Sequence, residues 1–98
     1  MDIIWFLCSG ICHQILPESG YVRPGMVVAG ADSHTSSHGA LGAMAIGIGA
    51  TDMAAVWALG RMVNVEVPAT IKVVVDGEFR PGVGPKDLIL YLIGMLSA

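Results

Sequence analysis

The stretch "MVVAGADSHTSSHGALGAMAIGIGATD", Met26 to Asp52, decides how the chain is read. Its first part, "MVVAGA", is a short apolar run bounded by Pro24-Gly25 and by Asp32. That length and its paired valines predict a buried strand of the parallel-sheet kind. Asp32, Ser33, His34 and His38 then fall within seven residues, in a chain that is only 13% charged. In open α/β sheets ligands sit beyond the carboxyl ends of strands, so the polar cluster lies where a site is expected.

Working outward, Ser36 or Ser37 is placed to cap a helix from about Gly39 to Gly47. That helix would be apolar on nearly every side and must lie inside the protein. Gly39, Gly42 and Gly47 each cost it roughly 1 kcal/mol relative to alanine, which makes sense only where a neighbour packs close to the backbone. Thr51 is placed to cap the next helix, with Asp52 in its first turn and Gly60 near its end. After Pro68, "TIKVVVDG" alternates like a strand, with Ile71, Val73 and Val75 on one face and a turn at Asp76-Gly77. Pro85 suits the first position of a last helix whose stripe is Leu88, Ile89, Leu92, Ile93 and Leu96. The predicted order is strand, helix, helix, strand, helix, and the fold class is α/β.

Composition narrows the function. The chain has 98 residues, 54% of them hydrophobic, and a mean hydropathy of +0.70. A free-standing domain this small should show more polar surface. A membrane span needs about 18 or more apolar residues in a row, and the best run, Gly39 to Ala50, is shorter and rich in glycine. The acidic lead-in of "MDIIWFLCSG" makes a poor signal peptide. The expectation is a piece buried by larger surroundings, in the cytoplasm. The net charge is −3, and Arg23, Arg61, Lys72, Arg80 and Lys86 are scattered, so nucleic acid is not an expected partner.

The chemistry-bearing residues admit several readings. A Ser33–His34 hydrolytic dyad is geometrically poor, because adjacent side chains at a strand end point apart. Zinc held by Cys8, Cys12, His13 and His34 or His38 is possible by residue type, but the spacings match no familiar pattern. Cys8 and Cys12 are too few for an iron–sulfur cluster, and Cys12 reads most simply as a small buried apolar side chain. No metal ligand is assigned. Capping and loop hydrogen bonding would account for Asp32-Ser33-His34 without any catalysis. His13 is read as an ordinary satisfied histidine and His38 as a solvated loop residue.

Two motifs in order, "GICHQ" at 10–14 and "GADSHT" at 30–35 with its glycine-rich sequel, resemble the large, catalytic subunit of the aconitase superfamily. The nearest branch is that of 3-isopropylmalate dehydratase, an enzyme of leucine biosynthesis, and homoaconitase. "VPATIKVVVDGEFRPGVGPKDLILYLIG" continues the resemblance, which covers 10–94. It implies that 1–98 is part of an aconitase-like α/β/α catalytic domain with a mainly parallel sheet. It also implies a hydro-lyase that dehydrates and rehydrates a small hydroxy-acid, with a 4Fe-4S cluster as Lewis acid. Carried over by motif, His13 and His34 are the histidines near the departing hydroxyl and Asp32 orients His13. Ser33 contacts a substrate carboxylate, while Gln14 and Thr35 support from behind. The family's cluster cysteines correspond to nothing in this chain, since Cys8 and Cys12 do not match ligand positions. Its remaining site groups come from the rest of the large subunit and from a small, swivelling-domain subunit. A reading from another class stays open: an inactive remnant or structural piece lacking the cluster ligands.

Overall fold

The computed structural model describes residues 4–62 and 65–96. The chain divides into two units, Met1–Glu66 and Val67–Ala98. In the first, helix α1 (Cys12–Glu18) is followed by strand β1 (Val27–Gly30), a 3-10 helix (Ser33–Leu41), strand β2 (Met44–Gly47) and helix α2 (Ala50–Leu59). The second carries helix α3 (Pro85–Leu96). Helices with a parallel strand pair make the arrangement α/β.

β1 forms where the valine-rich run predicts a strand. It pairs with β2 in parallel, from Val27 opposite Met44 to Gly30 opposite Gly47. Parallel neighbours need a crossover rather than a hairpin, and the 3-10 helix supplies it. The predicted helix over 39–47 is therefore corrected: its first three residues end the 3-10 helix and its last four are β2. Gly42 makes the switch, turning in the left-handed region at φ 77° with Pro24 at 3.3 Å from where a Cβ would stand. A side chain there would be strained by both the dihedral and the contact.

Nine residues is long for a 3-10 helix, and the sequence explains why this one persists. Serine, threonine, histidine and glycine are poor α-formers, and the short hydroxyls of serine and threonine compete for backbone carbonyls. Here Thr35 Oγ1 donates to the Asp32 carbonyl at 2.6 Å, Ser37 Oγ to that of His34 at 2.6 Å, and Ser36 Oγ to that of Ser33 at 3.4 Å. Each bond spans three residues, which is the 3-10 repeat. The cap is Asp32 rather than Ser36 or Ser37, its carboxylate accepting from the His34 N–H.

α2 starts from Gly49 rather than from a Thr51 cap, with Asp52 in its first turn and Gly60 closing it. α1, unassigned by the sequence patterns, takes its first bonds from the Ile11 carbonyl and contains Pro17, whose missing N–H limits it to two turns. In the second unit Pro85 does open α3, and Asp87 reaches back 2.8 Å to the Gly84 N–H as one half of a capping box. The strand predicted over "TIKVVVDG" is not formed. Ile71, Val73 and Val75 are exposed, and a strand without a neighbour to take its ladder bonds has nothing to hold it.

Among the described residues the enclosed set is small: Val22, Ala43, Thr35 and His38. No helix among them is long and apolar enough to cross a membrane. What packs most closely is backbone. A Cβ at Gly47 would stand 2.8 Å from the Asp32 carbonyl oxygen and 3.3 Å from Ser33 Cα, and one at Gly30 would overlap Thr35 Oγ1. Of the three glycines predicted to have a close neighbour, Gly42 and Gly47 have one and Gly39 has nothing within 4 Å; at Gly47 the neighbour is the crossover rather than an element behind a helix. Gly47→Ala should therefore destabilise the protein by about 1–3 kcal/mol through overpacking, read as a lowered urea midpoint with an unchanged m-value; a midpoint equal to wild type would contradict the packing.

Candidate active site

Asp32 stands at the junction of β1 and the 3-10 helix in extended backbone, which aims its carboxylate back over the first helical turn. Its Oδ1 accepts the His34 N–H at 2.7 Å, satisfying one of the donors that a helix start leaves free. The same oxygen accepts from His13 Nε2 at 2.9 Å, although His13 sits nineteen residues earlier on α1. His34 Nδ1 lies 3.3 Å from it. One carboxylate oxygen thus joins two imidazoles from two elements. The His34 N–H chiefly, with the His13 ring, holds the Asp32 carboxyl below its ordinary 3.8 against a lesser opposing effect of desolvation.

These groups open onto a shallow depression of about 690 Å³, lined by Ile11, Cys12, His13, Asp32, His34 and Ser37. The His13 and His34 ring centres are 6.1 Å apart. His34 is largely exposed, whereas His13 keeps 19% of its side chain in contact with solvent. Such a constellation can do acid–base work. The carboxylate fixes which His13 nitrogen carries the proton and orients the ring. The nitrogens of His13 and His34 and Asp32 Oδ1 all lie within 4.8 Å of one another, so they could also approach a metal ion, but their hydrogen bonds account for that closeness.

His13, Asp32 and His34 come together. Ser33 is displaced from them: its Oγ lies on the next face of the helix, 3.5 Å from His34 Nδ1, a contact at the outer limit of hydrogen bonding. The hydroxyl on the wall of the depression is that of Ser37, which the sequence reading used only as a cap. Gln14 turns away to Glu18, at 2.9 Å, while Thr35 is buried and braces the Asp32 carbonyl. Two expectations are corrected. Cys12 is not a buried apolar side chain but exposed on the depression, with Sγ 3.7 Å from both His13 nitrogens. His38 is not a solvated loop residue but 2% exposed, its ring centre 5.5 Å from that of His13.

The three-residue repeat explains these placements. Thr35 and His38 share the inward face, while His34 and Ser37 share the face toward the depression. The spacing carries this signal only at the 3-10 period.

Because the Asp32 pKa is lowered on folding, its ionised form adds stability that is complete above 3.8 and is lost as pH falls through the lower folded value. Asp32→Asn keeps an acceptor for the His34 N–H and removes the titration. The stability gap between wild type and this variant should stay level from neutral pH downward and close only in acid below the ordinary carboxylate value; a gap closing around neutrality would contradict the linkage.

The sequence matches the aconitase family (aconitate hydratase) over residues 2–98. It is 56% identical over 90 residues to 3-isopropylmalate dehydratase large subunit 1 of Methanopyrus kandleri, covering 92% of this chain and 21% of that protein. A probable methanogen homoaconitase large subunit of Methanothermobacter thermautotrophicus is 56% identical over 89 residues, with 91% and 21% covered. The 3-isopropylmalate dehydratase large subunit of Elusimicrobium minutum is 54% identical over 90 residues, with 92% and 21% covered. The chain thus spans about 21% of the length of these relatives. With a match running nearly from end to end, over the very residues that build the His13–Asp32–His34 cluster, the chain belongs to the aconitase family.

Proposed function

We infer that this chain supplies one wall of the active site of a hydro-lyase that isomerises a hydroxy-acid such as isopropylmalate or homocitrate by dehydration and rehydration. The observation that carries this is the 2.9 Å bond between His13 Nε2 and Asp32 Oδ1 at an open depression, in a chain of this family. Loss of a hydroxyl from carbon requires a proton on the departing oxygen and removal of a proton from the neighbouring carbon. In this reading His13, oriented by Asp32, gives the first proton, His34 stands beside the same hydroxyl, and a base outside these residues takes the proton from the carbon. Ser33 meets a substrate carboxylate. Rehydration at the neighbouring carbon runs the same exchange in reverse.

The family implies a 4Fe-4S cluster. Cys8 and Cys12 are the chain's two cysteines, short of the three or four thiolates a cluster requires, and Cys12 is engaged with His13. The cluster ligands in this reading come from outside these residues, within an α/β/α domain completed by the rest of a large subunit. A small subunit then closes the site. Both thiols are free, which suits a reducing cytoplasm.

In the complete large subunit, assembled with its small subunit, His13→Ala and His34→Ala should each lower kcat by roughly 10²–10⁴-fold, as loss of a general acid does. Full dehydration activity in the His34→Ala enzyme would refute its assignment.

A second reading, that these 98 residues alone form an inactive structural piece, is favoured by the exposure of Trp5, Leu7, Trp57 and Tyr91 and by the cysteine count. The isolated chain treated with iron and sulfide should gain neither cluster absorbance nor turnover. Appearance of both would end this reading.

A further inference from the structure

His38 is the imidazole that the reaction scheme leaves unused, and it is the most enclosed polar side chain among the described residues, at 2% exposure. Its ring is centred 5.5 Å from that of His13 and tilted 56° to it, closer than the 6.1 Å to His34. We propose that His38 is a positioning residue whose buried ring packs against the His13 ring, so that the 3-10 helix holds the His13 imidazole from two directions.

A histidine χ2 torsion is broad and roughly two-fold, so the side chain does not set its own ring plane. The hydrogen bond from Nε2 to Asp32 Oδ1 pins one corner of the His13 ring and leaves the ring free to swing about that contact. Cys12 Sγ lies 3.7 Å from both ring nitrogens. A rigid planar ring packed beside it removes the remaining freedom, and the tilted ring of His38 stands in that place. It reaches that place by the helix period, one turn beyond Thr35 on the same inward side. Asp32 and His38 are therefore fixed relative to each other by one short rigid element. What they hold between them is a group whose misplacement by about 1 Å can cost on the order of 10²-fold in rate. This consequence for turnover rests on the hydro-lyase reading above, but the bracing itself does not.

Two replacements that both fill the buried space separate the possibilities. His38→Phe keeps a flat ring and His38→Leu does not. In the complete two-subunit enzyme, His38→Leu should lower kcat per folded site by about 10- to 100-fold with KM changed less than about twofold, the mark of lost positioning rather than lost binding. His38→Phe should restore most of it. A readout independent of activity is carbethoxylation of His13 by diethyl pyrocarbonate, followed by mass spectrometry and expressed relative to the more exposed His34. That ratio should rise several-fold in His38→Leu and return to the wild-type value in His38→Phe. Leucine and phenylalanine variants that behave alike in both readouts would overturn the proposal. Full activity in His13→Ala would defeat the hydro-lyase roles alone, and the carbethoxylation ratio would still decide for or against the bracing.

Discussion

Oδ1 of Asp32 is the point on which the site's geometry turns. A single oxygen caps the 3-10 helix through the His34 N–H and catches the ring of His13 from α1. The first bond is local and belongs to folding, while the second joins elements nineteen residues apart and belongs to the site. Because one atom serves both, the start of the helix and the direction of the His13 ring cannot be set independently. The carboxyl also stays ionised to lower pH than usual, so neither bond is exchanged for a proton near neutrality.

The second constraint is steric. Gly30 and Gly47 stand opposite each other in the parallel register, and each gives up its side chain to the crossover that leaves β1. Gly47 makes room for the backbone of Asp32 and Ser33, and Gly30 for the Thr35 hydroxyl that grips the Asp32 carbonyl. Gly47, one of the three glycines that weaken the helical reading of 39–47, is the one that lets a strand lie against a polar loop. Hydrogen bonding and close backbone contact hold this region, with little apolar burial to assist.

Much of this was legible in the residues, and the failures have physical causes. "MVVAGA" reads as a strand because its run is short, apolar and bounded, and Pro85 marks a helix start because its fixed φ suits one. The segment 39–47 misled because alanine, leucine and methionine satisfy a helical pattern as easily as a buried strand. Parallel pairing, which decided between them, depends on a partner far along the chain. "TIKVVVDG" misled for the opposite reason: its alternation is strand-like, but a strand exists only with a neighbour. Cys12 and His38 exchanged their expected environments because neither side chain announces its surroundings; Cys12 opens α1, and the helix that carries His38 turns at three residues rather than 3.6. The polar cluster itself was visible as composition. Its joining to His13 was implied by motif resemblance and not by any local pattern.

The three-residue period has a consequence for how this segment tolerates change. Losing or gaining one position between Ser33 and His38 would rotate everything downstream by about 120°. An inward imidazole would be swung toward solvent and a serine turned into the interior. Exchange of one side chain for another leaves the faces in register, whereas a change in length does so only in whole turns. The spacing within "SHTSSH" is therefore held more rigidly than the identity of any one of its serines.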